Sequence, residues 1–234
     1  MFFDFVRFLN FRIDRRGYIL VLSLAAVAFI SSLFSVSVFC FIAVIMVAVA
    51  LFFRDPKRVS SMEKGVVLSP SDGVIIDISD VDFAPGIGLS SEKFSKISIF
   101  LSLFDVHVNR IPISGVIESR AYQRGKFSAA FEGKASDDNE QLRLVIKAYD
   151  GERIACVQIA GFIARRIVCS AFQGDKVTMG ERYGIICFGS RMEIYLPSSY
   201  VTRVLVGQRM VGGETILAEK LLYDKADRSV IVRG

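Results

Sequence analysis

The sequence predicts a mostly β (α+β) soluble domain, a barrel or sandwich with an internal pseudo-repeat, preceded by an N-terminal transmembrane or re-entrant helical hairpin. Three observations predict it. Residues Tyr18 to Phe53 contain no charged residue, no Gly and no Pro. After Arg58 the chain changes to short alternating apolar runs broken by Gly, Ser and Asp, and a Gly-rich motif occurs twice in the C-terminal third.

The apolar stretch comes first. One membrane span needs about 20 residues, so Tyr18 to Phe53 is too long for one simple helix and long enough for two short ones. Arg7, Arg12, Arg15 and Arg16 precede it, and Arg54, Lys57 and Arg58 follow it. Positive charge on both flanks is consistent with a chain that enters and returns, leaving both ends cytoplasmic. The polar residues near its middle are Ser31, Ser32, Ser35 and Ser37. Serines make a poor turn in lipid, so a double crossing, a shallow re-entrant hairpin and one span with an interfacial helix all remain open. The organisation expected is an anchor at residues 1–58 and a domain at residues 59–234, at the cytoplasmic face of the cell membrane.

Strands are expected where apolar and polar residues alternate. Ile97, Ile99, Leu101 and Leu103 alternate with Ser98, Phe100 and Ser102, and Met192, Ile194 and Leu196 alternate with Glu193 and Tyr195. Similar runs occupy residues 74–78, 142–148, 157–162 and 167–171, while 129–141 is polar and reads as a loop. The motif at Gly174 to Glu181 (GDKVTMGE) returns at Gly207 to Glu214 (GQRMVGGE), 33 residues on. Two hairpins with the same turn chemistry suggest the pseudo-symmetry of lipoyl-type domains.

Composition narrows the function. The sequence is 52% hydrophobic with formal charge +5, and much of the basic clustering flanks the apolar run, which suits anionic lipid headgroups. No basic stripe with interleaved aromatics follows, so nucleic acid is not an expected partner. Cys40, Cys156, Cys169 and Cys187 form no CxxC, so neither a metal site nor a disulfide framework is expected.

Few residues can carry chemistry. His107 is the one histidine and the one side chain whose ordinary pKa lies near neutrality. A lone histidine between Val106 and Val108 is more often a satisfied structural residue. Asp72 lies in SPSDG, an ordinary turn sequence. Gly189-Ser190 opens the Met192 to Leu196 strand and, alone, reads as a tight turn. No Gly-x-Ser-x-Gly is present to suggest an ordinary hydrolase.

Taken in order, FFRDPKR, SPSDG, FDVHVNRIP, YQRGKF, DDNEQ, QIAGFIARRIVC, GERYGIICFGSRMEIYLP and VGQRMVGGETILA resemble the short, membrane-anchored branch of the phosphatidylserine decarboxylase family. The resemblance implies a proenzyme that cuts itself at Gly189-Ser190 into a β chain (1–189) and an α chain (190–234). Ser190 would become a pyruvoyl group, the covalent cofactor for decarboxylating a membrane phospholipid. His107 would be the base for cutting, with Asp72 orienting it by the logic of a serine triad. The chain departs from longer members in two places. It has Phe188-Gly189-Ser190-Arg191 where they carry Leu-Gly-Ser-Thr, and Arg110 where they carry a second histidine. Arg110 is thereby a candidate contact for the lipid phosphate or carboxylate, or else an ion-pair residue. Archaetidylserine is the alternative substrate, and a non-enzymatic membrane-tethered adaptor the alternative class.

Overall fold

The computed structural model describes residues 11–125, 139–161, 167–186 and 190–221. Strand β1 (Phe11–Ile13) leads into helix α1 (Arg15–Ser32), and helix α2 (Val36–Phe52) leads into strand β2 (Arg54–Pro56). The two helices form the expected hairpin. The serines at its turn satisfy themselves locally. Ser31 and Ser32 hydroxyls donate to the carbonyls of Ala28 and Phe29, and Ser35 caps α2 by accepting from the Val38 N–H. At about 1.5 Å per residue each helix is roughly 26 Å long, slightly under a bilayer's apolar core of about 30 Å. Among the described residues, α1 alone is long and apolar enough to count as a candidate span, and α2 is a shorter apolar helix. β1 pairs antiparallel with β2, from Phe11 opposite Pro56 to Ile13 opposite Arg54, and the Asp14 N–H donates to the Phe53 carbonyl. The hairpin therefore starts and ends on one side.

The remaining strands are β3 (Val66–Leu68), β4 (Gly73–Ala84), β5 (Gly88–Leu101), β6 (Val108–Arg110), β7 (Gly115–Gln123), β8 (Gln141–Ala148), β9 (Arg153–Ala160), β10 (Ile167–Cys169), β11 (Lys176–Val177), β12 (Arg182–Ile186), β13 (Ser190–Pro197), β14 (Tyr200–Thr202), β15 (Arg209–Met210) and β16 (Ile216–Lys220). Eight of them make one antiparallel sheet in the order β11-β7-β8-β9-β13-β5-β4-β15. Two three-stranded sheets, β10-β12-β6 and β14-β16-β3, supply Ile167, Tyr183, Ile186, Val67, Tyr200 and Leu217 to the core under its inner face. Ile97, Ile99, Leu144, Ile146, Met192 and Ile194 come from the large sheet itself.

Two expectations need correction. β5 ends at Leu101, so Leu103 is not in the strand but in a turn. The cause is Asp105, whose carboxylate takes both the N–H (2.8 Å) and the hydroxyl (2.7 Å) of Ser102 and closes the chain on itself. The alternation in β13 predicts a half-buried strand, but β13 is covered on both faces, with Glu193 and Tyr195 buried as well. Burial of Glu193 is tolerated because Arg191 (2.6 Å) and the Tyr195 hydroxyl (2.7 Å) both donate to its carboxylate. Most of the expected loop at 129–141 lies outside the described residues.

The order of the large sheet is symmetric about the β9–β13 junction, and the hydrogen bonds agree. Gly174 donates to Ile117 and receives a bond back through Asp175; Gly207 and Gln208 do the same with Ile75. Arg110 donates to the Pro70 carbonyl and Leu68 to that of Pro112, at 2.8 and 2.9 Å. β6–β12 are continuous in the chain, whereas their counterparts are split into β3–β5 before them and β13–β16 after. β8 and β9 join through a hairpin, but β5 and β13 pair with a whole half of the domain inserted between them. Ser190 stands where the chain comes back.

Candidate active site

Ser190 is the first residue of β13, opposite Leu101 of β5 on one side and Ala160 of β9 on the other. It is fully buried, and its hydroxyl has no hydrogen-bond partner. Gly189, the other half of the predicted cleavage site, lies outside the described residues. His107 lies just past the turn that ends β5, and its carbonyl accepts from the Ile186 N–H at the end of β12. Ser190 and His107 are thus placed at the same end of the β5–β13 pair by two separate backbone routes.

The His107 ring is also fully buried, packed against Phe52 of α2 with centroids 4.2 Å apart and the rings tilted by 36°. Its Nδ1 lies 2.9 Å from the Asp105 carbonyl. A carbonyl only accepts, so Nδ1 carries the proton and Nε2 presents a lone pair. That Nε2 has no partner. Burial, the largest influence, pushes the imidazole pKa down to about 4, and the Arg54 charge adds to it against the opposing pull of Asp105. The ring is therefore a neutral, desolvated base at physiological pH.

Asp72 sits in the turn before β4 and accepts from Arg58 (3.0 and 2.8 Å) and from the Gly212 N–H (2.7 Å). Burial raises its pKa, with Arg58 and Gly212 working against that. Among the described residues, its bonds go to these groups and not to His107. The orienting partner of the imidazole is the Asp105 main chain. Arg110 is buried and committed elsewhere, donating to Asp55 (2.8 Å), the Pro56 carbonyl (3.1 Å) and the Gly180 carbonyl (3.0 Å). Arg182 reaches the same Asp55 carboxylate.

Asp105, Asn109 and Gln158 join the candidate site without having been singled out in the sequence, as does Arg54 beyond its place in the basic flank. Gln158 donates to Asn109 at 2.7 Å, which leaves Asn109 Nδ2 and Gln158 Oε1 buried and unpartnered. Gln158 is opposite Met192 and Ala160 is opposite Ser190, so Gln158 lies on the same sheet face as Ser190. Buried polar atoms are nearly always satisfied, so the unpartnered atoms on Ser190, His107, Asn109 and Gln158 are candidate contacts for another occupant. Asp105 and Asn109 stand two residues either side of His107, Asp105 in the turn before it and Asn109 in β6 after it, and this closeness in the chain was a signal the sequence did contain. Gln158 is remote in sequence and gave none. A cavity of about 320 Å³ lined by Met62, Lys64, Tyr149 and Met179, among others, contains none of these residues.

The arrangement defines a class: a β-sheet protein with a buried, unpaired serine at a chain seam, a neutral histidine near the same seam, and an apolar helical hairpin packed over the histidine. The chain belongs to the phosphatidylserine decarboxylase family, whose profile matches residues 46–218. It is similar to proteins named phosphatidylserine decarboxylase proenzyme. That of Saccharopolyspora erythraea is 45% identical over 172 residues, 73% of this chain and 72% of the relative. That of Rickettsia rickettsii (strain Sheila Smith) is 44% identical over 207 residues, 88% of this chain and 90% of the relative. The Rickettsia prowazekii protein is 42% identical over the same length.

Proposed function

We propose that this chain is a membrane-tethered proenzyme that cuts itself between Gly189 and Ser190 and then decarboxylates phosphatidylserine to phosphatidylethanolamine and carbon dioxide. The observation that carries the reading is the buried, unpartnered Ser190 hydroxyl at the head of a central strand, in a chain of this family.

His107 Nε2 takes the hydroxyl proton, and Ser190 Oγ adds to the Gly189 carbonyl carbon. The peptide C–N bond breaks, the nitrogen keeps the bonding pair and gains a proton, and an ester joins the two parts. Loss of the Ser190 α-proton expels the Gly189 carboxylate. Water then replaces the nitrogen, which leaves as ammonia. The pyruvoyl group so built fits the site, since Ser190 lies between Leu101 and Ala160 with no side-chain bond to give up. When present, it supplies a ketone that combines with a primary amine and accepts the electron pair released with carbon dioxide. Asn109 Nδ2 offers a donor and Gln158 Oε1 an acceptor to the substrate headgroup. Asp72 supports the cut electrostatically, by holding Arg58 and the Gly212 turn beside the site. Arg110 serves by fixing Asp55 and the Gly180 turn, and would contact lipid only by leaving them.

The anchor reading places α1 and α2 in the cell membrane with both ends cytoplasmic. The basic residues flanking the hairpin and the β1–β2 pairing support it. The duplicated motif supports kinship of the domain with lipoyl-type folds.

Purified wild-type protein should separate in denaturing gels into fragments 1–189 and 190–234. The small one should resist Edman degradation and be lighter, by one ammonia, than a hydrolysed chain. Ser190→Ala and His107→Ala should each remain one chain, and Asp72→Asn should cut more slowly. Decarboxylation by a protein that stays uncut would overturn the proposal.

A further inference from the structure

The turn between β5 and β6 holds two large apolar side chains in the open. Leu103 is 47% exposed and Phe104 87% exposed. The turn cannot fold them away. Asp105 bonds the N–H and hydroxyl of Ser102, its own N–H donates to the Ser102 carbonyl (3.0 Å), and its second carboxylate oxygen is held by Arg209 (2.6 Å). Leu103 and Phe104 are the two central residues of this closed turn, and a rigid apolar tip exposed to solvent calls for an apolar occupant.

Its position identifies that occupant. The Arg54 guanidinium donates to the Leu51 carbonyl in the last turn of α2 (2.7 Å) and to the Phe104 carbonyl (2.5 Å). One side chain thus spans from the end of the apolar hairpin to the tip. Phe52, Phe53, Val106 and Val108 pack into one cluster beneath it. The Arg209 bond also ties in the neighbouring turn, where Leu205 and Val206 are 70% and 59% exposed. Arg209 is itself largely exposed, so the apolar tips are bordered by positive charge.

We propose that the Ser102–Asp105 turn is a second membrane contact, with Leu103 and Phe104 entering the acyl layer beside α2 and Arg209 at the level of anionic headgroups. The same turn carries the carbonyl that sets the His107 tautomer, so its insertion brings the site to headgroup depth, where a diacyl substrate can present its amine without leaving the bilayer. This rests on the membrane reading of the hairpin.

The chain contains no Trp, which makes single tryptophans clean probes. Full-length protein carrying Phe104→Trp, Val44→Trp in α2 or Phe83→Trp at the opposite end of β4 is reconstituted into phosphatidylcholine–phosphatidylglycerol vesicles with and without acyl-chain bromination. Val44→Trp and Phe104→Trp should both be quenched, and Phe83→Trp should not. Quenching at Val44 alone overturns the inference while leaving the anchor intact. No quenching at either removes the anchor reading and the inference with it. Phe104→Trp emission that shifts with protein concentration rather than with bromine would mean a second copy covers the tip, and also overturns it. As a functional arm, Phe104→Asp should self-cut normally and lose about tenfold or more of its turnover on vesicle-borne phosphatidylserine. Its turnover on a short-chain, monomeric phosphatidylserine should stay unchanged, and an equal loss on both substrates would contradict the proposal.

Discussion

At the scale of single residues, desolvation is the main influence on His107. His107 is driven neutral by burial and fixed in one tautomer by a main-chain carbonyl, so it needs no carboxylate to be an available base. Its pKa is about 4 in the fold and about 6.5 in an unfolded chain. Between these values the unfolded chain binds more protons, so stability rises with pH. It is fully present above about pH 6.5 and is lost as pH falls towards 4, by on the order of 3 kcal/mol in total. Comparing urea unfolding of uncut Ser190→Ala at pH 7 and 4.5 with Ser190→Ala carrying His107→Gln should show this acid loss only where the histidine remains. The self-cutting rate should keep its plateau well below pH 6.5, and an acid limb centred near 6.5 would mean the ring is not desolvated in the working state. His107 and Ser190 could be picked out from the chain because each is chemically rare in its setting. Gln158 could not, because it meets Asn109 only when β9 crosses beneath β6.

At the scale of elements, the glycines separate two kinds of constraint. A Cβ on Gly73 or on its counterpart Gly115 would meet the main-chain carbonyl of Phe100 or of Lys147. Gly174 and Gly207, also counterparts, have φ of +91° and +89° with open space around them. Alanine at Gly174 or Gly207 should cost about 1–2 kcal/mol through the left-handed backbone alone. At Gly115 it should cost more, at least about 3 kcal/mol, because a strand must be displaced, and at Gly73, where φ is +139°, backbone strain adds to the same displacement. Thermal unfolding in the Ser190→Ala background would measure all four, and equal costs would refute the distinction. The long strands were legible from alternation, and β4, β8 and β9 each contain or overlap a run expected as a strand. The two- and three-residue strands β3, β11 and β15 were not, since periodicity needs more residues than they possess. The doubly buried β13 was misread because polar residues signal exposure until a partner such as Arg191 for Glu193 is known.

At the scale of the whole molecule, the strand order gives a reason why a cut before Ser190 should leave the domain folded. The proposed break falls immediately before the first residue of β13, so β13 would stay whole. The small fragment begins with β13, which is paired along its length with β5 and for most of it with β9. Met192, Ile194 and Leu196 lie fully buried in the core, as do Leu217 and Ala218 of β16 farther along the same fragment. Fragments 1–189 and 190–234 should therefore co-elute in detergent by size exclusion and part only in denaturant. Once cut, unfolding also becomes dissociation, so mass action enters: the melting temperature of the processed protein should rise with protein concentration, whereas that of Ser190→Ala should not. A small fragment that elutes separately in native buffer would show that β13 is not the central strand of the processed protein.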